Sequence, residues 1–387
     1  MQPAGIRRWA TAAVVGALVL AACGGDDDDP AATDAPTEVS DAAAGTDAPP
    51  GADAPSTTEP TASDDPAATT TIDAASSSAA PNGAEAFPVT IEHKFGSTTI
   101  DAEPTRVVTV GFTDQDALLA LGVVPVGIRD WYGEQPFATW PWAIDRLGDA
   151  EPEVLPSTEL NFEQISALDP DLIVGLSSGM TGSDYATLSG IAPTIAQSDE
   201  YIEYGTPWDV GTKVIGEAVG KAAEADALVA DVQAQLAQLA ADHPDWEGQE
   251  VAVGYVLSET ELGAYASGDS RPQLLAELGF VTPAEFDELA GDLFYSSFSY
   301  EEIGRLDRDL LMWIAGDAET MARIESNPLR AQLDVATDGR EIFLGQIEAG
   351  AFSFGSPLSL PFLLDTLVPQ IEAALDGDPA TAVPVGE

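Results

Sequence analysis

Two stretches of the chain carry the same order of apolar and polar positions: NFEQISALDPDLIV from Asn161 and SYEEIGRLDRDLLM from Ser299, with Glu163 and Glu301 in register. In each, apolar residues at helical spacing (Phe162, Ile165 and Leu168, or Tyr300, Ile303 and Leu306) precede an unbroken apolar run, Leu172 to Val174 or Leu310 to Trp313. The first pattern is that of an amphipathic helical turn and the second that of a buried strand, so each copy reads helix, loop, strand. A weaker echo lies upstream of both. Arg106 to Val110 runs into a helix ending LGVVP (Leu121 to Pro125), and Val251 to Val256 into one ending LGFVTP (Leu278 to Pro283). Strands alternating with helices predict parallel sheets, and the repetition predicts two related, Rossmann-like α/β lobes. A ligand is expected in the cleft between them.

The rest of the pattern fills in this plan. Alternation through Val89 and Ile91, a turn near Gly96 and a return through Thr98 and Ile100 predict a hairpin. A helix over Asp114 to Leu121 leads to a strand, Val124 to Ile128, which empties into the aromatic loop Arg129-Asp130-Trp131-Tyr132-Gly133, with Trp140 and Trp142 close behind. After the first copy come the loop Ser177 to Ser183, a helix through Tyr185 and Leu188, and a short strand near Pro193 to Ala196. Thr206-Pro207 reads as an N-cap followed by proline at the first helical position, opening a helix that continues to Gly220. A second helix runs from Lys221 to Asp242 through Leu228, Val229, Val232, Leu236 and Leu239, and His243-Pro244 ends it. This helix has no counterpart in the repeat and is therefore expected to connect the lobes. The expected division is residues 87–205 for the first lobe, 206–244 for the connecting helices and 245–387 for the second lobe, which closes with a helix over Leu358 to Leu375 and a loose acidic tail.

The amino-terminal end sets the compartment. Arg7 and Arg8 precede an apolar run from Trp9 to Ala22 that is shorter than the ~20 residues needed to span a bilayer, so residues 1–22 read as a secretion signal. Leu20-Ala21-Ala22-Cys23 resembles the lipobox of bacterial lipoproteins, which implies cleavage before Cys23, lipid on its thiol and tethering at the extracytoplasmic face of the cell membrane. Cys23 is the single cysteine, so no intramolecular disulfide can form. Residues 23–86 are mostly Asp, Ala, Thr, Pro, Ser and Gly, with no Lys or Arg and almost nothing to bury, an acidic linker expected to be disordered. Some 60 such residues reach ~45 Å.

Charge narrows the partners. The chain carries 66 acidic and 14 basic residues, a net of −52; without leader and linker it is still about −40. Nucleic acid is excluded as a partner. Anionic ligands are repelled unless local arginines override the field, although the same surface also suits solubility or high salt.

Lipobox, linker, duplicated lobes and single connecting helix together resemble the substrate-binding lipoproteins of iron-siderophore ABC importers. PTRVVTVG, GVVPVGIRDWYG, both repeat copies and GSPLSLPFLLDTLVPQI carry the match, over Phe87 to Leu375. The resemblance implies a monomer that captures a ferric siderophore between its lobes without catalysis or a resident cofactor, and passes it to a membrane permease driven by a cytoplasmic ATPase. It implies that Glu163 and Glu301 dock against that permease; a pair of contacts suits a two-fold symmetric partner. Same-fold receptors for haem or a corrinoid are the alternative. A bare metal ion is disfavoured on chemical grounds, because such sites need several imidazoles or carboxylates and the only histidines are His93 and His243.

An organic chelate calls for aromatic walls and a few guanidinium donors. Arg129, Trp131, Tyr132, Trp140, Trp142 and Trp208 are the candidates from the first half, and Tyr265, Arg271, Tyr295, Phe352 and Phe354 from the second. Where some hydroxamate receptors of this family place an arginine before the first repeat and a tyrosine after its strand, this chain has Ser157 and Met180, so a different contact set is implied, with Met180 included in it. Only 12 basic residues remain outside the leader, too few for an evident cluster against a triply charged ferric catecholate, which favours a chelate of low charge.

A reading of another class starts from Gly175-Leu176-Ser177-Ser178-Gly179, which fits the G-x-S-x-G elbow of a secreted serine hydrolase with Ser177 as nucleophile. The only later histidine is His243, at a helix end beside Pro244, so the triad order fails. Gly216 to Lys221 lacks the spacing and the Ser or Thr of a phosphate loop, which leaves helix packing as its explanation.

Overall fold

The computed structural model describes residues 86–385. The leader, Cys23 and the linker fall outside the described residues. Among the described residues no helix is long and apolar enough to cross a membrane.

The first lobe opens with a hairpin, β1 (Val89–His93) and β2 (Gly96–Ile100). It continues through β3 (Val107–Thr109), α1 (Asp114–Ala120), β4 (Gly127–Arg129), β5 (Glu153–Leu155), α2 (Phe162–Ala167), β6 (Leu172–Gly175), α3 (Gly182–Leu188) and β7 (Thr194–Ala196). Five of these strands form an all-parallel sheet in the order β5-β4-β3-β6-β7. The central strands β3 and β6 are buried along their whole length, as expected of a parallel sheet covered on both faces. β4 starts later than the expected Val124, because Pro125 has no N–H to give to a ladder.

Two helices follow, α4 (Trp208–Ala218) and α5 (Ala222–Asp242). The expected cap at Thr206 does not form. Pro207 takes the N-cap position, and the Thr206 hydroxyl is buried without a partner. Gly216 allows the close crossing of the two helices, since a Cβ there would lie 2.3 Å from Cβ of Ala225. α5 is stitched into both halves: Ala225 packs in a first-lobe core cluster, and Val232 and Leu236 belong to the core of the second. Its 21 residues make a rigid strut ~30 Å long.

The second lobe contains β8 (Val251–Val256), β9 (Glu261–Tyr265), α6 (Ser270–Glu277), α7 (Ala284–Ala290), β10 (Tyr295–Ser299), β11 (Leu310–Ile314), α8 (Ala318–Glu325), α9 (Asp334–Thr337), β12 (Glu341–Leu344), α10 (Gln346–Phe354) and α11 (Ser359–Ala374). Its sheet order, β10-β9-β8-β11-β12, repeats that of the first lobe position by position. Here the correspondence departs from the expectation of two wholly parallel sheets. After β8 the chain reverses through Ser258–Thr260, so β9 alone runs against the rest, pairing antiparallel with both β8 and β10, while β8, β11 and β12 stay parallel. The repeated helix is also wound differently in the second copy, where Tyr300–Leu306 forms a 3-10 segment instead of an α-helix. Glu163 and Glu301 nevertheless occupy the same topological place, each at the start of the turn that enters the fourth strand of its sheet, and both are exposed. The acidic tail after α11 is not loose throughout: Val383 packs against the second-lobe core, and the Gln370 side chain donates to the carbonyl of Pro384 at 3.2 Å.

Candidate functional site: the cleft between the lobes

The order of the first sheet reverses between β3 and β6, and the crevice beyond the carboxyl ends of such strands is where open α/β sheets bind ligands. Phe112, Leu176 and Ser177, which follow those two strands, line a solvent-open cavity of about 330 Å³. Its opposite wall comes from the second lobe: Asp269 to Arg271 at the start of α6, Phe294 before β10, and Ser353 to Pro357 where α10 ends. The first turn of α4, including Trp208, closes one side.

The cavity is aromatic. Phe112 stacks between Trp131 (5.6 Å between ring centres, 25° between planes) and Tyr204 (6.3 Å, 28°). Trp131 meets Phe354 of the other lobe at 5.7 Å, and Tyr204 meets Phe294 edge-on at 5.7 Å. Of the residues expected to contact a ligand, Trp131, Trp208, Arg271 and Phe354 are therefore brought to the wall. Phe112, Tyr204 and Phe294 were missed; Phe112 directly follows a buried strand and could have been found by the strand-and-loop rule, whereas nothing in the pattern marks the other two.

The remaining candidates lie elsewhere. Arg129 is buried at 6 % exposure, its guanidinium donating to the carbonyls of Val110 (3.1 Å), Ser178 (3.1 Å) and Ser157 (2.9 Å) and lying 4.2 Å from the centre of the Phe112 ring. It props the aromatic wall from behind. Met180 packs in the core against Gly175, and Phe352 is fully buried in the core of the second lobe. Phe352 and Phe354 are two residues apart on α10, about 200° around the helix, so only one of them can face the cleft. Trp140 is likewise buried, its ring laid against α10 at Gly350, where a Cβ would come within 2.5 Å of it. Trp140 and Trp142 stack at 5.1 Å and both contact Phe354, so they join the lobes instead of facing the cavity. Tyr132, Tyr265 and Tyr295 are off the cavity wall, with Tyr265 stacked against the Arg271 guanidinium at 3.9 Å and Tyr295 its cross-strand partner.

The polar groups of the site are tightly committed. Arg271 forms a two-pronged ion pair with Asp269 (2.8 and 2.9 Å) and donates twice more to Ser353 Oγ (3.2 and 3.0 Å). Asp269 also caps α6 by accepting from the Arg271 N–H. Asp114 accepts the backbone N–H groups of Leu176 and Ser177, and burial lifts its carboxyl to about 6. Just behind it Asp116 holds the lobes together: its Oδ2 accepts from Ser356 Oγ at 2.6 Å and from Trp142 Nε1 at 2.7 Å. Burial raises Asp116 further, to about 7.

Neither histidine lines the cavity. His93 is bonded to Thr98 within the first hairpin, and His243 stacks on Trp246 at 3.9 Å and pairs with Glu372. Ser177 is on the wall, but its hydroxyl accepts from Thr113 and has no imidazole beside it. Among the described residues no group of three or more His, Cys, Asp or Glu side chains could hold a metal ion.

A model of the periplasmic binding protein family matches residues 107–346, and the chain belongs to that family. It is 31 % identical over 240 residues to the probable siderophore-binding lipoprotein YfiY of Bacillus subtilis, covering 59 % of this chain and 70 % of that one. The Fe(3+)-citrate-binding protein YfmC of the same organism is 28 % identical over 255 residues, 65 % of this chain and 76 % of its own. The crystal structure of PiaA from Streptococcus pneumoniae in complex with ferrichrome superposes with a TM-score of 0.64 at 27 % identity, over 75 % of this chain and 99 % of PiaA.

Proposed function

We propose that this protein is the extracytoplasmic receptor of an ABC importer, holding a ferric siderophore between its lobes and delivering it to a membrane permease served by a cytoplasmic ATPase. The observation that carries this reading is the aromatic cavity at the point where the first sheet reverses, closed from the other side by Phe354 and Arg271. Flat rings suit the partly apolar coat of a chelate. The protein acts by binding alone, as a monomer, with no cofactor of its own. Lipid on Cys23 holds it at the membrane, and the linker to residue 86 lets the loaded domain reach its partner.

Docking is assigned to Glu163 and Glu301. Both are exposed, neither is engaged in an ion pair among the described residues, and they stand at matching places in the two sister lobes. The neighbouring Glu302, by contrast, is spent on Arg305. Titrating the intrinsic tryptophan fluorescence with ferric siderophores, haem, cobalamin and unchelated iron tests the assignment. Saturable quenching by at least one ferric siderophore is expected; response to free iron alone, or to none of the set, would overturn it.

A further inference from the structure

Resting on that reading, we propose that the cleft selects a ferric chelate that is uncharged or cationic, of the tris-hydroxamate type, and rejects the anionic catecholate and citrate complexes. The wall contains three charged side chains, Asp114, Asp269 and Arg271, and therefore has no excess of positive charge. Arg271, the single cation among them, is neutralised by Asp269 and has most of its donors committed. Nη1 donates to both oxygens of Asp269, Nε and Nη2 each donate to Ser353 Oγ, and Tyr265 covers one face of the guanidinium, which leaves a single Nη2 N–H uncommitted.

The other arginine near the cavity is no better placed. Arg129 spends its terminal nitrogens on three backbone carbonyls behind the Phe112 ring. Farther out, Lys94, Lys213, Arg305, Arg308, Arg323, Arg330 and Arg340 are each paired with a carboxylate, and Arg106 with carbonyl groups. Among the described residues Arg146 and Lys221 carry no such partner, and neither lines the cleft.

The chemistry of the ligands then decides. Three hydroxamates bring three negative charges to Fe³⁺ and leave a neutral core, whereas three catecholates bring six and leave a complex of charge −3; citrate complexes are also anionic. Near a protein surface, one unit charge ~10 Å from another changes affinity roughly tenfold. An anionic chelate would meet the Asp114 carboxylate and a neutralised Arg271, within a domain that is itself strongly acidic. This sets the chain apart from the relative named for ferric citrate.

The test is a fluorescence-quenching titration of the mature chain with ferrichrome (neutral), ferrioxamine B (cationic), ferric dicitrate and ferric enterobactin (both anionic). The two hydroxamates are expected to bind, with enterobactin weaker by at least a hundredfold. Asp269→Asn, which releases the Arg271 guanidinium, should narrow that gap about tenfold, and Asp114→Asn should narrow it in the same direction. Anionic complexes that bind as tightly as the hydroxamates would overturn the charge selection while leaving the ferric-chelate reading intact. Haem and cobalamin are titrated alongside; if none of the four ferric chelates binds, whether or not these two do, the functional reading itself falls.

Discussion

Replacing Asp116 by asparagine tests how the two lobes are joined. The carboxylate is fully buried, one oxygen accepts from Ser356 and Trp142, and the other has no hydrogen-bond partner. Burial is the main cause of its elevated value of about 7, with the two hydrogen bonds pulling the other way. In the unfolded chain the same group ionises near 3.8. Between these values the folded protein holds a proton that the unfolded chain has lost, so stability is greatest below the lower value and declines as pH rises through the upper one. At about 1.4 kcal/mol per pH unit, the displacement amounts to ~4 kcal/mol. Asparagine keeps a carbonyl for Ser356 and Trp142 but cannot ionise. Denaturant unfolding followed by tryptophan fluorescence at intervals from pH 4 to 8 should show the parent losing about 4 kcal/mol more than Asp116→Asn across that range. Asp114 is raised for the same reason and slopes the same way, but it is present in both proteins and cancels in the difference. Parallel curves for the two proteins would refute the claim that a desolvated carboxylate closes this junction.

Three other outcomes are expected. Glu163→Ala combined with Glu301→Ala should leave chelate affinity unchanged and abolish uptake by cells; equal loss of both would remove them from docking. Arg129→Ala strands three backbone carbonyls and one face of Phe112, and should lower stability by about 3 kcal/mol in denaturant titrations. Gly350→Ala drives a methyl into the Trp140 ring and should cost about 2 kcal/mol with a changed tryptophan spectrum, whereas a neutral effect would show that the interlobe packing is loose.

Much of the architecture was legible because it was written twice. The repeated apolar order around Ile165 and Ile303 located β6 and β11, and through them two related lobes; that their sheets share one strand order is seen only in the fold. What the pattern hid was direction: β9 is too short and too mixed to stand out, so the antiparallel excursion of the second sheet could not be read. For the cleft, residue type located the aromatic loop but not which rings face outward. Trp131 lines the cavity and Trp140 does not, a difference set by a glycine more than two hundred positions away on α10. Arg129 and Arg271 were legible as cations near the site. Their occupation by carbonyls and by Asp269 depends on chain segments that only folding brings together.

The junction of Trp140, Trp142, Phe354 and Asp116 has a consequence for transport. These contacts tie the lobes directly to one another, and α5 braces both cores along one rod. A protein so fastened leaves its halves little room to shift, which holds the spacing between the exposed Glu163 and Glu301 nearly constant. Were these two carboxylates the docking points proposed above, a partner that gauged only their spacing could not tell a loaded receptor from an idle one.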